Sequence, residues 1–497
     1  MSEHETQPIE ADVAVVGAGA AGCVLAARLS EHPGIDVLLV EAGPDYPDPR
    51  ALPPDLRSGL RSAGSHDWGY TDETTGGVVA RARVVGGCSA TNGTIALRGA
   101  PEDYDGWARL AGNPAWSFAE VLPDFRRLET DADFDDDWHG GGGPLPIRRY
   151  RPDELTAVSS AAYEALLEAG FPEVADHNRP GALGVGPAPV NAVDGVRMSA
   201  ALTYLRPARS RPNLRVLPDA PVDRVLLERG RAVGVRLSDG RTVRAQRVVL
   251  AAGTYGSPAI LLRSGIGPAH DLAVLGLPCR SHLPGVGANL QEHPGISVIW
   301  PLAEPLPEGP RFQVVATRSA TDDRLEAPWL QHVPAATSEL FWISATLMRP
   351  RSRGRIRLAS LDPSAAPRIR VGLLEDPLDR AEMVRAVRSA RRVGGLGPLR
   401  KLVGGPERWA GAGIEDEAAL TEALRASVWT YHHACGTCAM GPDPERGAVV
   451  DAWGAVHGVQ GLSVADASIM PMIPSGNTHL PTLMLAEHLA PAIAAVR

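Results

Sequence analysis

The chain has 497 residues, a length that predicts two to three domains at roughly 150 residues per domain. Its hydrophobic fraction of 44% and charged fraction of 22% are typical of a globular protein and exclude a disordered or fibrous chain. The net charge of −9 argues against nucleic acid as a partner, because binding to phosphates requires a basic surface.

The N-terminal residues and the hydropathy pattern predict a cytoplasmic protein. Acidic residues precede the first apolar run, where a secretory signal would carry positive charge; they are Glu3, Glu5, Glu10 and Asp12. No apolar run reaches the ~18 residues that a transmembrane helix needs, so no membrane span is expected. The five cysteines are an odd and sparse set, which fits a reducing compartment.

Three predicted elements open the chain within residues 12–43, DVAVVGAGAAGCVLAARLSEHPGIDVLLVEAG. The apolar run Val13–Val16 predicts a buried strand, Cys23–Ser30 has helical character, and Asp36–Val40 predicts a second buried strand. A strand, a helix and a second strand in this order are typical of the opening of a doubly wound parallel sheet.

The turn between the first strand and the helix carries a glycine-rich motif, residues 17–22, GAGAAG. Gly17 permits a tight turn, Gly19 lets the backbone approach a pyrophosphate, and Gly22 lets helix and strand pack closely. The phosphates would lie at the helix N-terminus. Glu41 ends the second strand, where a carboxylate accepts hydrogen bonds from an unphosphorylated ribose, as in FAD or NAD. The predicted dinucleotide contacts are Gly17, Gly19, Ala20, Ala21, Gly22, Glu41 and Ala42.

Three later segments have patterns of their own. Residues 131–143, DADFDDDWHGGGG, are acidic and rich in glycine, which predicts a solvated surface segment or a lid. From Arg215 to Gly253 the alternation predicts short strands, the last of which is a buried apolar run over Val248–Ala252. The apolar spacing from Pro481 to Val496 predicts a closing helix.

Four segments decide between FAD and NAD. They are 80–99, ARARVVGGCSATNGTIALRG; 253–267, GTYGSPAILLRSGIG; 285–294, GVGANLQEHP; and 463–488, SVADASIMPMIPSGNTHLPTLMLAEH. Together with the N-terminal unit they resemble the glucose–methanol–choline family of FAD-dependent oxidoreductases, in the family's own order.

The resemblance implies an α/β fold, α+β overall, with two domains. A doubly wound FAD-binding domain would comprise mainly residues 1–295, with residues 430–497 returning to it. A discontinuous substrate-binding domain, built on an antiparallel sheet, would comprise mainly residues 296–429.

The resemblance also implies which residues contact FAD. Gly86 and Gly87 would pass the backbone close to the flavin, and Ser89, Asn92 and Gly93 would donate hydrogen bonds to it. The wider set of implied cofactor contacts is Gly86, Gly87, Ser89, Asn92, Gly93, Thr94, Ile95, Val222, Ala252, Asp466, Ala467, Asn477 and Thr478.

Three of these positions carry specific expectations. Asp466 resembles the family's acid near the ribityl–pyrophosphate region, and Val222 resembles the strand that meets the adenine. Thr91 occupies the place of the histidine that binds flavin covalently in some relatives. Threonine cannot form that bond, so the resemblance implies non-covalent FAD.

The catalytic pair implied by the resemblance is His433 and His479. Family members place the active histidine four residues before the threonine of a Gly-Thr pair, which matches His433 rather than His432. A neutral imidazole with a pKa near neutrality suits the removal of a hydroxyl proton while hydride leaves carbon for flavin N5. His479 would hydrogen-bond the substrate oxygen.

Aromatic side chains near this segment predict the substrate pocket. Trp342, Trp429, Tyr431 and His432 together suggest a flat, apolar or aromatic substrate, although each alone is typical of core packing. The pair Cys435 and Cys438 has the spacing of a redox dithiol or half a zinc site. Only one such pair exists, so packing is the preferred interpretation and no metal is implied.

These observations predict oxidation of a primary alcohol, aryl or allylic, to the aldehyde, with O2 or another acceptor reoxidising the flavin. Residues 103–107, 138–140 and 463–488 are similar to those of bacterial hydroxymethylfurfural and aryl-alcohol oxidases. One alternative is a dehydrogenase for choline or another alcohol that passes electrons to a quinone or carrier. A second is a hydroxynitrile lyase in which the flavin is structural. A third, a flavin-bound protein without turnover, usually lacks the catalytic pair.

Overall fold

The computed structural model describes residues 8–319 and 329–495, so the acidic residues Glu3 and Glu5 and the predicted helix end at Val496 lie outside the described residues. The described strands are β1 (Ile9–Val16), β2 (Val37–Val40), β3 (Glu129–Asp131), β4 (Leu145–Arg149), β5 (Val185–Pro187), β6 (Pro189–Val190), β7 (Ala192–Val193), β8 (Val196–Arg197), β9 (Leu214–Leu217), β10 (Val222–Glu228), β11 (Arg231–Leu237), β12 (Thr242–Leu250), β13 (Ile266–Gly267), β14 (Ser281–His282), β15 (Pro294–Pro301), β16 (Val314–Arg318), β17 (Leu330–Ala336), β18 (Leu340–Leu347), β19 (Arg355–Arg357), β20 (Arg368–Arg370), β21 (Trp429–Thr430) and β22 (Leu462–Val464).

The α-helices within the same ranges vary from one turn to five. They are α1 (Ala20–Leu29), α2 (Pro54–Arg57), α3 (Pro101–Ala111), α4 (Phe118–Leu128), α5 (Ala157–Glu168), α6 (Arg206–Ala208), α7 (Gly253–Arg263), α8 (Ala269–Val274), α9 (Pro377–Gly394), α10 (Gly397–Leu402), α11 (Glu417–Ser427) and α12 (His479–Ala495). In the described part of the chain no helix is long and apolar enough to cross a membrane.

The first sheet is doubly wound, as predicted. Its parallel core runs in the order β22, β12, β1, β2, β9, and β10 and β11 extend it as antiparallel strands beside the first half of β12. Strands β1 and β2 are apolar along their whole buried length because helices cover both faces of a parallel sheet. Helix α1 packs against the closing helix α12 within this core.

The second sheet is antiparallel and runs in the order β21, β15, β18, β17, β16, β5. Side chains alternate across it, so Phe341 and Ile343 face a core formed with α5, α9 and α11. Residues of α5 and β5, which precede residue 295, share the second hydrophobic core. The division of the chain near residue 295 stays a prediction.

The other face of the second sheet covers the first unit. There Val315 and Val333 pack with Ile95 and Leu97 from the segment after the second glycine pair, and with the half-buried Tyr431. The two units therefore meet at residues that the sequence connects with the flavin, and this junction positions the site described below.

The expectation of a solvated segment at residues 131–143 holds for exposed positions such as Asp133, Asp135 and Asp137, but it is wrong for Asp131 and His139. Asp131 is 8% exposed and His139 is 3% exposed. His139 contacts buried carboxylates on both sides, and Arg149 bonds Asp131 at 2.8 Å. Asp131 and His139 are buried because Arg149 supplies the opposite charge that the acidic composition of the segment lacks.

Candidate active site

The glycine-rich turn lies at the carboxyl end of β1, where ligands bind in doubly wound sheets. A Cβ at Gly22 would lie 1.8 Å from the Gly17 carbonyl oxygen, and a Cβ at Gly17 would lie 2.5 Å from the Ala251 carbonyl oxygen. A Cβ at Gly19 would meet nothing nearer than Gly87 Cα at 4.0 Å. The protein's own packing thus requires Gly17 and Gly22, whereas Gly19 faces a cradle at the start of α1 that fits a pyrophosphate.

Glu41 ties the turn to the end of β2. Its carboxylate accepts the backbone N–H of Ala18 at 2.8 Å and the backbone N–H of Gly43 at 2.8 Å. Burial raises the pKa of Glu41 to about 7, and these backbone hydrogen bonds oppose the rise. A carboxylate has about four acceptor positions, so acceptor capacity remains for ribose hydroxyls.

The second glycine pair packs directly on the first motif. Gly86 adopts φ +103°, which a side chain would disfavour, and its N–H donates to the Ala18 carbonyl at 2.7 Å. A Cβ at Gly87 would lie 2.6 Å from Gly19 Cα. The structure therefore brings Gly86 and Gly87 to the cradle, in agreement with an approach to the cofactor.

The predicted hydrogen bond from Ser89 to the flavin stays a prediction, while the Ser89 side chain is engaged within the protein. The Ser89 hydroxyl donates to the Gly86 carbonyl at 2.5 Å and accepts the N–H of Ala200 at 3.0 Å, so its one hydrogen is already used. Asn92 differs, because its Oδ1 accepts the N–H of Thr94 and its Nδ2 is the donor end. Thr94 adopts φ +66°, a strained conformation for threonine that holds this turn in shape.

The remaining predicted cofactor residues lie on several elements of the first unit. Ala252 caps the N-terminus of α7, and Asp466 Oδ2 accepts the N–H of Gly253 at 2.9 Å and the Ser257 hydroxyl at 2.5 Å. Asp466 thus joins the ends of β12 and β22 at the same sheet edge as Gly17. The other members are Gly93 and Ile95 beside Phe312 and Val190, Ala42 after β2, Ala467 after Asp466, Val222 at the start of β10, and Thr478 before α12.

His433 lies where three distant segments meet. Its Nδ1 is 3.0 Å from His293 Nδ1, and its Nε2 is 3.0 Å from Asn477 Nδ2. Burial, and then the neighbouring His293, His432 and Arg81, hold the pKa of His433 well below its usual value. A neutral imidazole with one nitrogen facing an amide is equipped to accept a proton.

The expected role of His479, a hydrogen bond to the substrate oxygen, stays a prediction. Asn477, which the resemblance suggested as a flavin contact, is the residue from this loop that contacts the His433 ring. Both ring nitrogens of His479 are buried and lack a hydrogen-bond partner among the described residues. Burial lowers the pKa of His479 to about 4, so this ring is neutral.

The predicted pocket residues divide into two groups. The Tyr431 ring stands edge-on to His433, with ring centroids 4.6 Å apart, and Trp429 packs on Tyr431 at 5.4 Å. His432 points the other way: it is exposed, adopts φ +64° and contacts the Thr430 hydroxyl at 3.0 Å. Trp342 lies on β18 with the Arg311 guanidinium 5.5 Å above its ring.

The nearby cysteines are structural. Cys435 and Cys438 are free and fully buried within the first hydrophobic core, and burial raises the pKa of both thiols. This environment suppresses thiolate chemistry and agrees with the packing interpretation.

Comparison with known proteins identifies the arrangement. Residues 11–295 and 350–486 match the N-terminal and C-terminal parts of GMC oxidoreductases. The chain belongs to the GMC oxidoreductase family. It is 38% identical to 5-(hydroxymethyl)furfural oxidase of Methylovorus sp., over 97% of this chain and 98% of that one. It is 36% identical to oxygen-dependent choline dehydrogenase 1 of Chromohalobacter salexigens, over 98% and 95%.

A solved structure shows the same GMC fold. Pyridoxine 4-oxidase from Mesorbium loti superposes with a TM-score of 0.91 and 32% identity, over 98% of this chain and 100% of that one. The predicted family, fold class and FAD dependence are thereby confirmed. This GMC oxidoreductase is an enzyme acting on CH–OH groups.

Sequence reasoning identified the segment 285–294 but assigned no site role to its residues. Glu292 Oε1 accepts the backbone N–H groups of both His293 and His433 at 2.8 Å. Gln291 exchanges backbone hydrogen bonds with Cys435, and its side-chain amide contacts the backbone of Pro471 and Ile473. The motif at 285–294 marked the segment, but its contacts involve residues more than 140 positions away.

Proposed function

We propose that this enzyme oxidises a primary alcohol, aryl or allylic, to the aldehyde with non-covalently bound FAD, and that O2 or another acceptor receives the electrons. The observation that carries the substrate class is the wall beside His433. It consists of the Tyr431 ring, which stands against His433 and packs with Phe312 on an apolar cluster that includes Ile95, Leu97 and Val333. Such a wall favours a flat, apolar group next to the carbinol carbon.

The chain's own residues divide the work on the alcohol. His433 accepts the hydroxyl proton at Nε2, and the Asn477 amide at the same nitrogen donates a hydrogen bond that orients the alcohol oxygen. Bound FAD supplies the two-electron acceptor. Burial keeps His433 neutral at pH 7, so the base is ready without prior loss of a proton.

Relatives support an aromatic substrate. The compound named for the Methylovorus relative carries its alcohol on a furan ring, and the one named for the Mesorbium relative carries it on a pyridine ring. The similarity to the choline dehydrogenase of Chromohalobacter salexigens makes choline the alternative substrate. A quaternary ammonium needs an open carboxylate or aromatic cage, whereas the Glu292 carboxylate is buried and bonded to backbone N–H groups.

The decisive experiment is an anaerobic titration of the holoenzyme that follows the visible flavin band. Benzylic and allylic alcohols should bleach the band, and aliphatic alcohols, sugars and choline should do so far more slowly. Preferential bleaching by choline or sugars would contradict the substrate class. Admitting air then separates an oxidase, which restores the band at once, from a dehydrogenase that needs a quinone or carrier. Cyanide release from a cyanohydrin without bleaching would identify a lyase.

Asn477 and His479 provide a matched pair for the second position. Asn477→Ala should slow flavin reduction roughly 10- to 100-fold, because the alcohol oxygen loses its donor. His479→Leu should leave reduction within about twofold and should not lower stability, since it removes buried polar atoms that lack partners. The reverse ranking in stopped-flow reduction would restore His479 as the second catalytic residue.

The proposed non-covalent attachment of FAD has a simple test. Thr91 occupies the place of the histidine that binds flavin covalently in some relatives, and threonine cannot form that covalent bond. Acid precipitation should release all flavin absorbance into the supernatant, and the pellet should stay colourless. Yellow protein in the pellet would show a covalent link at another residue.

A further inference from the structure

His293 is a fully buried histidine that the reaction described above leaves unused. It belongs to the segment 285–294, and the main site residue His433 touches its ring. The following inference rests on the proposed role of His433 as the base, and it concerns how that base is kept in a reactive form.

The tautomer of His293 follows from its second contact. His293 Nε2 lies 3.1 Å from the Met348 carbonyl oxygen, which can only accept a hydrogen bond. His293 Nε2 therefore carries a hydrogen. Burial lowers the pKa of His293 to about 3, so the ring is neutral and its Nδ1 holds a lone pair.

The tautomer of His433 then follows from that of His293. The two Nδ1 atoms are 3.0 Å apart, and only His433 can supply the hydrogen between them. With Nδ1 protonated, a neutral His433 has its lone pair on Nε2, the nitrogen that faces Asn477 at 3.0 Å. We propose that His293 is a positioning residue that holds His433 in the one tautomer able to accept the substrate's proton.

The same contact acts after proton transfer. When Nε2 accepts the hydroxyl proton, His433 becomes a cation with hydrogens on both nitrogens, and its Nδ1–H continues to donate to His293. The hydrogen on His293 Nε2 points to a carbonyl that cannot accept a proton, so this route ends at Met348. The proton stays on His433 until the site opens to another acceptor.

The backbone fixes the spacing between the two rings. A single oxygen, Glu292 Oε1, accepts the N–H groups of both histidines at 2.8 Å, and the Tyr431 N–H donates to the His293 carbonyl at 3.1 Å. Burial raises the pKa of Glu292 to about 7, and Arg81 opposes that rise. The ring contact is thus built by several independent bonds and does not depend on side-chain placement alone.

Two amide substitutions separate the two contacts of His293. In His293→Asn the side-chain oxygen can occupy the place of Nδ1 and accept from His433, while the bond to Met348 is lost. In His293→Gln the amide nitrogen can reach Met348, while the acceptor for His433 is lost. His293→Leu removes both. All three are measured as holoenzymes by stopped-flow flavin reduction, with FAD content and melting temperature as controls for folding.

The proposal expects His293→Gln and His293→Leu to lower the limiting rate of flavin reduction about 100-fold or more, because the base spends most of its time in the wrong tautomer. His293→Asn should recover the rate to within about tenfold of the parent, with an unchanged pH profile. Equal losses in His293→Asn and His293→Gln would show a packing role only, and a near-parent rate in His293→Leu would overturn the proposal.

A second measurement needs neither activity nor a stable His293 variant. In protein labelled with ¹⁵N-histidine, the His433 signals, assigned by their absence from His433→Asn, should show a protonated Nδ1 and an unprotonated Nε2 at pH 7. The opposite tautomer would overturn the proposal. If no alcohol bleaches the flavin but this tautomer is present, the proposed function has failed and the positioning inference has not.

Discussion

Two histidines of this enzyme, the partly buried His433 and the buried His139, have opposite protonation chemistry. Burial alone would lower the pKa of His139, but the hydrogen bonds that its ring donates to Asp131, Asp176 and Glu129 raise it to about 10. Burial, and then the neighbouring His293, His432 and Arg81, hold the pKa of His433 well below its usual value. At pH 7 one imidazole is a permanent cation and the other is a neutral base.

The difference lies in what each ring faces. His139 lies within a closed set of charges in which three carboxylates, Glu129, Asp131 and Asp176, face the guanidinium groups of Arg98 and Arg149. A protonated imidazole balances that set. Glu129, Asp131 and His139 lie close enough together to hold a metal ion, but the Arg98 and Arg149 guanidinium groups pair with these two carboxylates. Identical side chains thus serve structure or chemistry according to the charges around them.

The largest expected effect tests His433 as the base. His433→Ala should lower the rate of flavin reduction by about 10³-fold, because no other group replaces the base, while FAD content and melting temperature stay near those of the parent. His432→Ala is the matched control: it removes an adjacent histidine that is exposed and contacts Thr430, and it should keep most of the rate. A comparable loss in His432→Ala would move the base to that residue.

The sequence predicted the first unit because its signals are local. The turn at Gly17–Gly22 and the acid at Glu41 are separated by one helix, and their spacing alone specifies a βαβ unit. Within the acidic segment at 131–143 the burial of Asp131 and His139 was not predicted, because it depends on Arg149 and Asp176, which composition does not reveal.

The sequence also does not show which residue of the loop before α12 contacts His433. Asn477 and His479 are two positions apart, and only the three-dimensional path of the chain shows which one meets His433. The role of His293 could not be predicted from the sequence, because its two ring contacts are with His433 and Met348, which lie far along the chain. Spacing identifies elements, but side-chain partners across elements come only from the fold.

The next largest effect tests the contribution of His139 to stability. His139→Gln should lower the free energy of unfolding by about 3 kcal/mol, because it leaves an uncompensated buried negative charge. The flavin reduction rate of the folded enzyme should stay close to that of the parent. His488→Gln is the control, since His488 pairs with Asp124 alone, at 2.7 Å in a less buried setting, and should cost about 1 kcal/mol or less. Denaturant unfolding measures both, and equal losses would show that the His139 network has no special weight.

The two histidines should also give opposite pH profiles. The pKa of His139 is raised to about 10, so its contribution to stability is complete below its ordinary value of 6.5 and is lost as pH rises toward 10. The stability difference between the parent and His139→Gln should therefore shrink between about pH 6 and about pH 9. The pKa of His433 is lowered, so flavin reduction should stay on its plateau down to pH 6.5 and fall only in more acidic solution. A midpoint for reduction above pH 6.5 would contradict a base in this environment.

The smallest expected effect concerns the Tyr431 side chain, which packs beside His433. The Tyr431 hydroxyl donates to Gln331 Oε1 at 3.1 Å, while its ring stands against His433. Tyr431→Phe keeps the ring and removes one hydrogen bond worth about 1 kcal/mol, so reduction should slow less than about threefold. Tyr431→Ala removes the apolar wall itself and should raise the KM for benzylic alcohols by about tenfold or more, because the buried ring contact is lost. If Tyr431→Phe slows reduction as much as Tyr431→Ala, the Tyr431 hydroxyl takes part in proton transfer. His433 would then not be the only residue beside the substrate that handles a proton.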